Sequence, residues 1–175
     1  MVGNGMAGVR TLEELLKIAP ELYDVTVFGA EPHPNYNRIL LSPVLAGEQT
    51  IDEIILNPLS WYAEHGIRLH LGKKVVDVDR RRRVVKAADG SEEEYDRLLL
   101  ATGSNPFILP VPGKDLAGVI AYRDIADTNT MIETAKNAPI FGPQATMAIQ
   151  GGRKYAGLPA LVDERGTLTY RQVND

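Results

Sequence analysis

Val9, Leu12, Leu15, Leu16 and Ala19 recur at helical spacing, with Glu13, Glu14 and Lys17 off that face. This predicts an amphipathic helix that begins near Gly8 and stops at Pro20. The run Val25-Thr26-Val27-Phe28-Gly29-Ala30-Glu31, closed by Pro32 and Pro34, reads as a buried strand leaving a sheet. A Pro- and Asn-rich stretch to Gly47 predicts an irregular loop ending in a helix over Pro43 to Ala46, and Asp52 to His65 reads as further helix stopped by Gly66. The period then changes to two. Ile67, Leu69 and Leu71 alternate with Arg68 and His70, followed by Val75, Val76 and Val78, then Val84 and Val85, then an Asp89-Gly90 turn. These predict an antiparallel meander of three strands. Tyr95 to Leu100 reads as an apolar strand ending in the small residues Ala101 to Ser104, and Met131 to Lys136 as a helix.

Composition narrows the chemistry. With no cysteine among its 175 residues, the chain offers no disulfide, thiolate-held cluster or cysteine nucleophile. A formal net charge of -4 speaks against nucleic acid or an anionic membrane as partner, which normally require a basic face. The run Arg80-Arg81-Arg82-Arg83 falls at a turn and reads as a solvated hairpin tip. No apolar stretch approaches the roughly 18 residues of a membrane span, and no secretory leader is evident, so a soluble cytoplasmic protein is expected. His33, His65 and His70 lack metal-ligand spacing.

Two features carry possible chemistry. Gly3, Gly5 and Gly8 form Gly-x-Gly-x-x-Gly at the start of the first helix. In a dinucleotide site the first glycine allows a tight turn, the second lets backbone approach a pyrophosphate, and the third permits close helix–strand packing. Glu31 ends the next strand at about the 20-residue separation expected of a carboxylate that binds an adenosine ribose. Ala101-Thr102-Gly103 closes the later strand and leaves room for a ligand at the carboxyl end of a sheet. The expected fold is therefore α/β: a partial Rossmann-type domain with a β-meander excursion, and a short β-hairpin in the tail.

Gly3 to Arg10, Glu31 to Ser42 and Ala101 to Pro106 together resemble the FAD domain of two-domain pyridine-nucleotide flavoprotein reductases. Within that family the chain is most similar to the N-terminal part of the NAD(P)H-dependent nitrite reductase large subunit. The resemblance covers Met1 to about Asn137 and implies FAD as cofactor. It implies that Gly3, Gly5 and Gly8 cradle the pyrophosphate and that Glu31 holds the adenosine ribose. By the same resemblance Arg38 lies near the phosphates, Val75 offers its backbone to the adenine, and Ala101, Thr102, Gly103 and Arg123 line the site. Sister reductases often carry a lysine where this chain has Pro43, which favours the nitrite reductase branch. Tyr36 is a candidate to lie against the isoalloxazine, or to pack on the sheet. The family reaction passes a hydride from NAD(P)H to the flavin, and then single electrons to an iron–sulfur cluster and siroheme.

The sequence departs from that pattern in three ways. A second Gly-x-Gly-x-x-Gly for the nicotinamide nucleotide is missing, and so are cysteines for metal centres. NAD(P)H is thus a partner only of the full-length family. Only Met1 and Val2 precede Gly3, where a whole strand is expected, so the start is expected to be misplaced or the chain a fragment. Third, Gly142 to Ala145 and Leu158 to Tyr170 resemble the N-terminal hairpin of AMP-forming acyl-CoA synthetases. The expected division is residues 1–137 as a partial FAD domain and 138–175 as an unrelated tail. Within that tail, Gln144 to Tyr155 could be helical, Ala160 to Tyr170 reads as a hairpin turning at Gly166, and Arg171 could begin a helix. A non-catalytic remnant that holds no flavin and an acyl-CoA ligase fragment are the alternatives.

Overall fold

The computed structural model describes residues 1–137, 159–163 and 166–169. The chain forms two compact units, Met1–Leu40 with Ile51–Val119, and Leu41–Thr50 with Ile120–Asp175.

In the first unit, helix α1 runs Met6–Ile18 and buries Gly8, Val9 and Leu12. Strand β1 (Thr26–Phe28) pairs in parallel with β2 (Arg68–His70). The other edge of β1 is taken by Val2, which bridges in parallel to both Phe28 and Leu100. Four main-chain bonds stitch this position. Phe28 N–H donates to Met1 O at 2.9 Å and Gly3 N–H to Phe28 O at 2.8 Å, while Val2 N–H donates to Leu99 O at 2.9 Å and Ala101 N–H to Val2 O at 2.8 Å. The spatial order β2, β1, Val2, Leu100 is that of one half of a doubly wound sheet, with its reversal point between Val2 and Leu100.

Two expectations change here. Ile67 to Leu71 was expected in the meander, yet β2 joins β1, and the antiparallel meander is β3 (Val75–Asp79), β4 (Val84–Ala87) and β5 (Glu92–Glu94). Alternation of apolar and polar residues suits either sheet; the choice is made by the buried backbone edge of β1, where Arg68 N–H donates to Val25 O at 2.9 Å. Of the strand expected over Tyr95 to Leu100, the described residues form the single bridge of Leu100 to Val2.

Helix was also expected through Asp52 to His65. Instead a 3-10 turn covers Asp52–Ile54 and helix α3 begins at Leu59, running to Glu64. Pro58 sits between them, and a proline biases its predecessor toward extended backbone and cannot donate within a helix. Ile55 uses that extended stretch to bridge Tyr36. Gly66, with φ +64°, ends the helix as expected.

Both faces of the parallel sheet are covered. On one, Leu12, Val27, Tyr62 and Ile67 form a buried cluster under α1 and α3, with Met1, Leu15 and Trp61 packed against it. On the other, Val2 and Phe28 meet Val85 and Ala87 of the meander, with Val75, Val78 and Leu98 alongside. Each fully buried valine, leucine, isoleucine or phenylalanine among them contributes about 1.5–3 kcal/mol by leaving water.

In the second unit, α2 (Leu41–Leu45) packs against α4 (Ile125–Asn137). Helix α4 starts earlier than the expected Met131. Asp124 Oδ1 accepts the Asp127 N–H at 2.9 Å while Asp127 Oδ2 accepts the Arg123 N–H at 2.8 Å, a reciprocal cap that fixes the first turn. Strands β6 (Pro159–Asp163) and β7 (Gly166–Thr169) pair antiparallel, as the hairpin expected in this stretch. The helices expected over Gln144 to Tyr155 and from Arg171 lie outside the described residues. Among the described residues no helix is long and apolar enough to cross a membrane.

Candidate dinucleotide site

Gly3 adopts φ +105°, and a β-carbon there would lie 2.1 Å from Ala101 O and 3.0 Å from Thr102 N. Gly8 is tight to a lesser degree, since its β-carbon would lie 2.9 Å from Ala101 Cβ and 3.1 Å from Gly3 O. Gly5 differs: it is the N-cap of α1, with φ -90° and ψ 175°, and a β-carbon there would meet nothing within 4 Å. The three glycines therefore do different things. Gly3 and Gly8 let the loop close on the Ala101-Thr102 backbone, whereas Gly5 leaves open space at the start of a 13-residue helix. No acidic side chain occupies the first turn of that helix and no side chain caps it, so its N–H groups stand ready for an anion.

Glu31 is reached through Gly29, where a β-carbon would lie 3.0 Å from Asn4 Cβ, so the end of β1 lies against the glycine loop. The Glu31 carboxylate accepts from the Tyr36 hydroxyl at 2.7 Å and from Arg38 at 2.6 Å. Arg38 also lies 5.2 Å above the Tyr36 ring. Tyr36 itself is buried, it bridges Ile55, and its hydroxyl orients the Glu31 carboxylate. Gly72 N–H donates to Glu31 O at 3.0 Å and Lys73 N–H to Gly29 O at 2.8 Å, which folds the start of the meander onto the same strand end. Val75 follows two residues later, half-buried and paired with Ala87.

Structure thus gathers Gly3, Gly5, Gly8, Glu31, Arg38, Val75, Ala101, Thr102 and Gly103 in one unit. Ala101 is half-buried against the loop, while Thr102 and Gly103 are exposed, the latter with φ +71°. Arg123 belongs to the other unit, at the capped start of α4.

Sequence reasoning missed a polar chain beneath the loop. The buried Tyr62 hydroxyl donates to Asn4 Oδ1 at 2.8 Å and accepts the Asn35 N–H at 3.4 Å. Asn35 Nδ2 donates to Asn57 Oδ1 at 2.7 Å, and Asn57 Nδ2 to Glu13 Oε1 at 3.0 Å on α1. Burial pushes the Tyr62 phenol above its ordinary value, and the Asn57 bond holds the Glu13 carboxyl below its own. The only sequence signal was the clustering of Asn in a loop flanked by prolines. Among the described residues no group of three or more His, Cys, Asp or Glu is placed to hold a metal.

The residues fit a dinucleotide. Gly3 and Gly8 form a cradle that β-carbons would fill, an uncapped helix start faces open space at Gly5, and an oriented carboxylate stands beside the loop.

Residues 1–156 match the family model described as pyridine nucleotide-disulphide oxidoreductase. The chain is 53% identical over 168 residues to the nitrite reductase [NAD(P)H] of Bacillus subtilis, covering 96% of this chain and 20% of that protein. It is 42% identical to the assimilatory nitrate reductase electron transfer subunit of the same organism, over 86% of this chain and 20% of that one. In fold it is similar to the NADH:rubredoxin oxidoreductase of Clostridium acetobutylicum, with a TM-score of 0.71 at 22% identity, covering 86% of this chain and 41% of that one. The chain therefore spans about a fifth of the length of these two curated relatives. These comparisons lend no support to a link between the tail and acyl-CoA synthetases, and the family match runs on past Asn137.

Proposed function

Because this chain belongs to the pyridine nucleotide-disulphide oxidoreductase family, we propose that it is the FAD-binding portion of an NAD(P)H-dependent oxidoreductase of the nitrite reductase type. The observation that carries the reading is the closure of Gly3 and Gly8 on Ala101 beside an oriented Glu31, which leaves the start of α1 open. The identity of 53% to a nitrite reductase supports that branch over other flavoprotein reductases.

In this reading the N–H groups at the start of α1 take the pyrophosphate, with Gly5 letting the phosphates approach the backbone. Glu31 accepts from the adenosine ribose hydroxyls, and Tyr36 and Arg38 hold it in place. Arg38 also supplies positive charge near the phosphates. Val75 presents backbone to the adenine, and Ala101, Thr102 and Gly103 line the crevice. FAD, when bound, supplies the capacity to accept electrons as a pair and release them singly. The chain's own contribution is to bind and orient it. With no cysteine to ligate a cluster, the chain is not expected to reduce nitrite by itself. NAD(P)H belongs to the longer proteins of the family.

The test is to purify the chain, add FAD, remove the excess and record the visible spectrum. Stoichiometric flavin absorbance with an ordered circular dichroism spectrum is expected. A folded, colourless protein that takes up no FAD would sink the reading and leave a non-binding remnant in its place.

A further inference from the structure

We infer that Tyr62 is a positioning residue for the dinucleotide loop, joining the glycine turn to the segment that carries Glu31 and Arg38. This rests on the FAD reading for its functional consequence, though not for its structural one.

The two halves of the site come from separate stretches, Gly3–Gly8 and Glu31–Arg38. Apart from the β1 backbone, the link between them runs through polar side chains. Tyr62 projects from α3 into the buried cluster of Leu12, Val27 and Ile67, so its ring is held on all sides and its hydroxyl has little freedom. That hydroxyl uses its proton on Asn4 Oδ1, inside the glycine loop, and its lone pair on Asn35 N–H, inside the second segment. Asn4 Nδ2 reaches His33 O at 3.5 Å, closing a small ring of contacts between the two stretches. Asn35 is anchored in turn, since its carbonyl accepts Leu56 N–H at 2.9 Å and Asn57 N–H at 3.3 Å. Through Asn57 and Glu13 the chain returns to α1, the helix whose N-terminus opens at Gly5.

A phenylalanine would fill the same space and lack only the hydroxyl. It would leave Asn4 Oδ1 and the buried Asn35 N–H without that partner, and both stretches would loosen while the hydrophobic cluster stayed intact. Tyr62 touches no part of the proposed ligand position directly; it acts through Asn4 and Asn35.

The experiment compares the full chain with Tyr62→Phe, Asn4→Ala and the double variant. Hydrogen exchange is expected to quicken in Gly3–Gly8 and His33–Asn35 of Tyr62→Phe, with the β3–β5 meander unchanged. FAD affinity is expected to fall about tenfold in each single variant and by clearly less than the product of the two in the double, because both remove the Tyr62–Asn4 bond while each also loses a contact of its own. Unchanged exchange in both segments, or independent multiplicative losses of affinity, would overturn the proposal. Should the unaltered chain bind no FAD, the exchange data still decide whether Tyr62 orders the loop, so failure of the cofactor reading is told apart from failure of this one. If Tyr62→Phe fails to fold, Asn4→Ala carries the same comparison from the loop side.

Discussion

Gly3 and Ala101 approach so closely that a β-carbon on Gly3 would sit 2.1 Å from the Ala101 carbonyl oxygen, on a backbone already at φ +105°. No rotamer relieves that clash, because a β-carbon is fixed by its own backbone and the atom it meets is main chain. Gly3→Ala is expected to destabilise the chain by about 3 kcal/mol or more, the range of forced left-handed backbone combined with overpacking. Gly5→Ala should stay within about 1 kcal/mol of the unaltered chain, as an N-cap change into open space. It should nonetheless weaken FAD binding tenfold or more. Chemical denaturation and flavin titration of both variants check the contrast; equal loss of stability in the two would contradict it.

Glu31→Gln removes a charge that Arg38 contacts at 2.6 Å and that Tyr36 also binds. The pair is only 27% and 30% exposed and the buried Tyr36 hydroxyl donates to the same carboxylate, so the change should cost about 1–3 kcal/mol of stability and lower the melting temperature measurably. A hydrogen bond to a charged group is worth about 1.5–3 kcal/mol, and FAD affinity should fall roughly ten- to a hundredfold. FMN, which lacks the adenosine, should bind as before. Parallel fluorescence titrations with the two flavins measure the difference.

Burial holds the Tyr62 phenol above its ordinary value, with the bonds to Asn35 and Asn4 opposing in part. An acid whose pKa rises on folding is more ionised in the unfolded chain at high pH. The stability it contributes is therefore full below about pH 10 and is lost as pH rises through the raised value. Circular dichroism melts from pH 8 to 12 should show an alkaline limb that flattens in Tyr62→Phe.

Asp89 sits at the β4–β5 turn, where Lys73 and the Ser91 hydroxyl and N–H all donate to its carboxylate. The Lys73 contact, followed by those of Ser91, holds the carboxyl well below its usual range. A depressed acid contributes stability above its unfolded pKa near 4, and loses it as pH falls through the lowered value. Asp89→Asn should lower stability at neutral pH and shallow the acid limb between pH 4 and 2. Melts across that interval in both proteins are the check.

The glycine spacing, Glu31 and the small residues after Leu100 were legible because each depends on local backbone: a turn, a strand end, an exit. The Pro58 break was legible in principle, since proline acts on its own neighbours, yet the apolar pattern across it suggested one helix. Tyr36, Tyr62, Asn35 and Asn57 were not legible as a set. Their roles depend on which loops meet, and polar residues in a loop usually face water.

Local sequence by itself determined the first helix, the β1 strand, the glycine turn and the β6–β7 hairpin, because hydrophobic period and turn chemistry act over a few neighbouring residues. Tertiary structure alone decided that β2 joins β1 rather than the meander, that Val2 pairs with both Phe28 and Leu100, and that Tyr62 reaches Asn4. Those outcomes rest on pairings between distant segments, where an exposed backbone edge or a buried hydroxyl takes whichever partner the packed core brings to it.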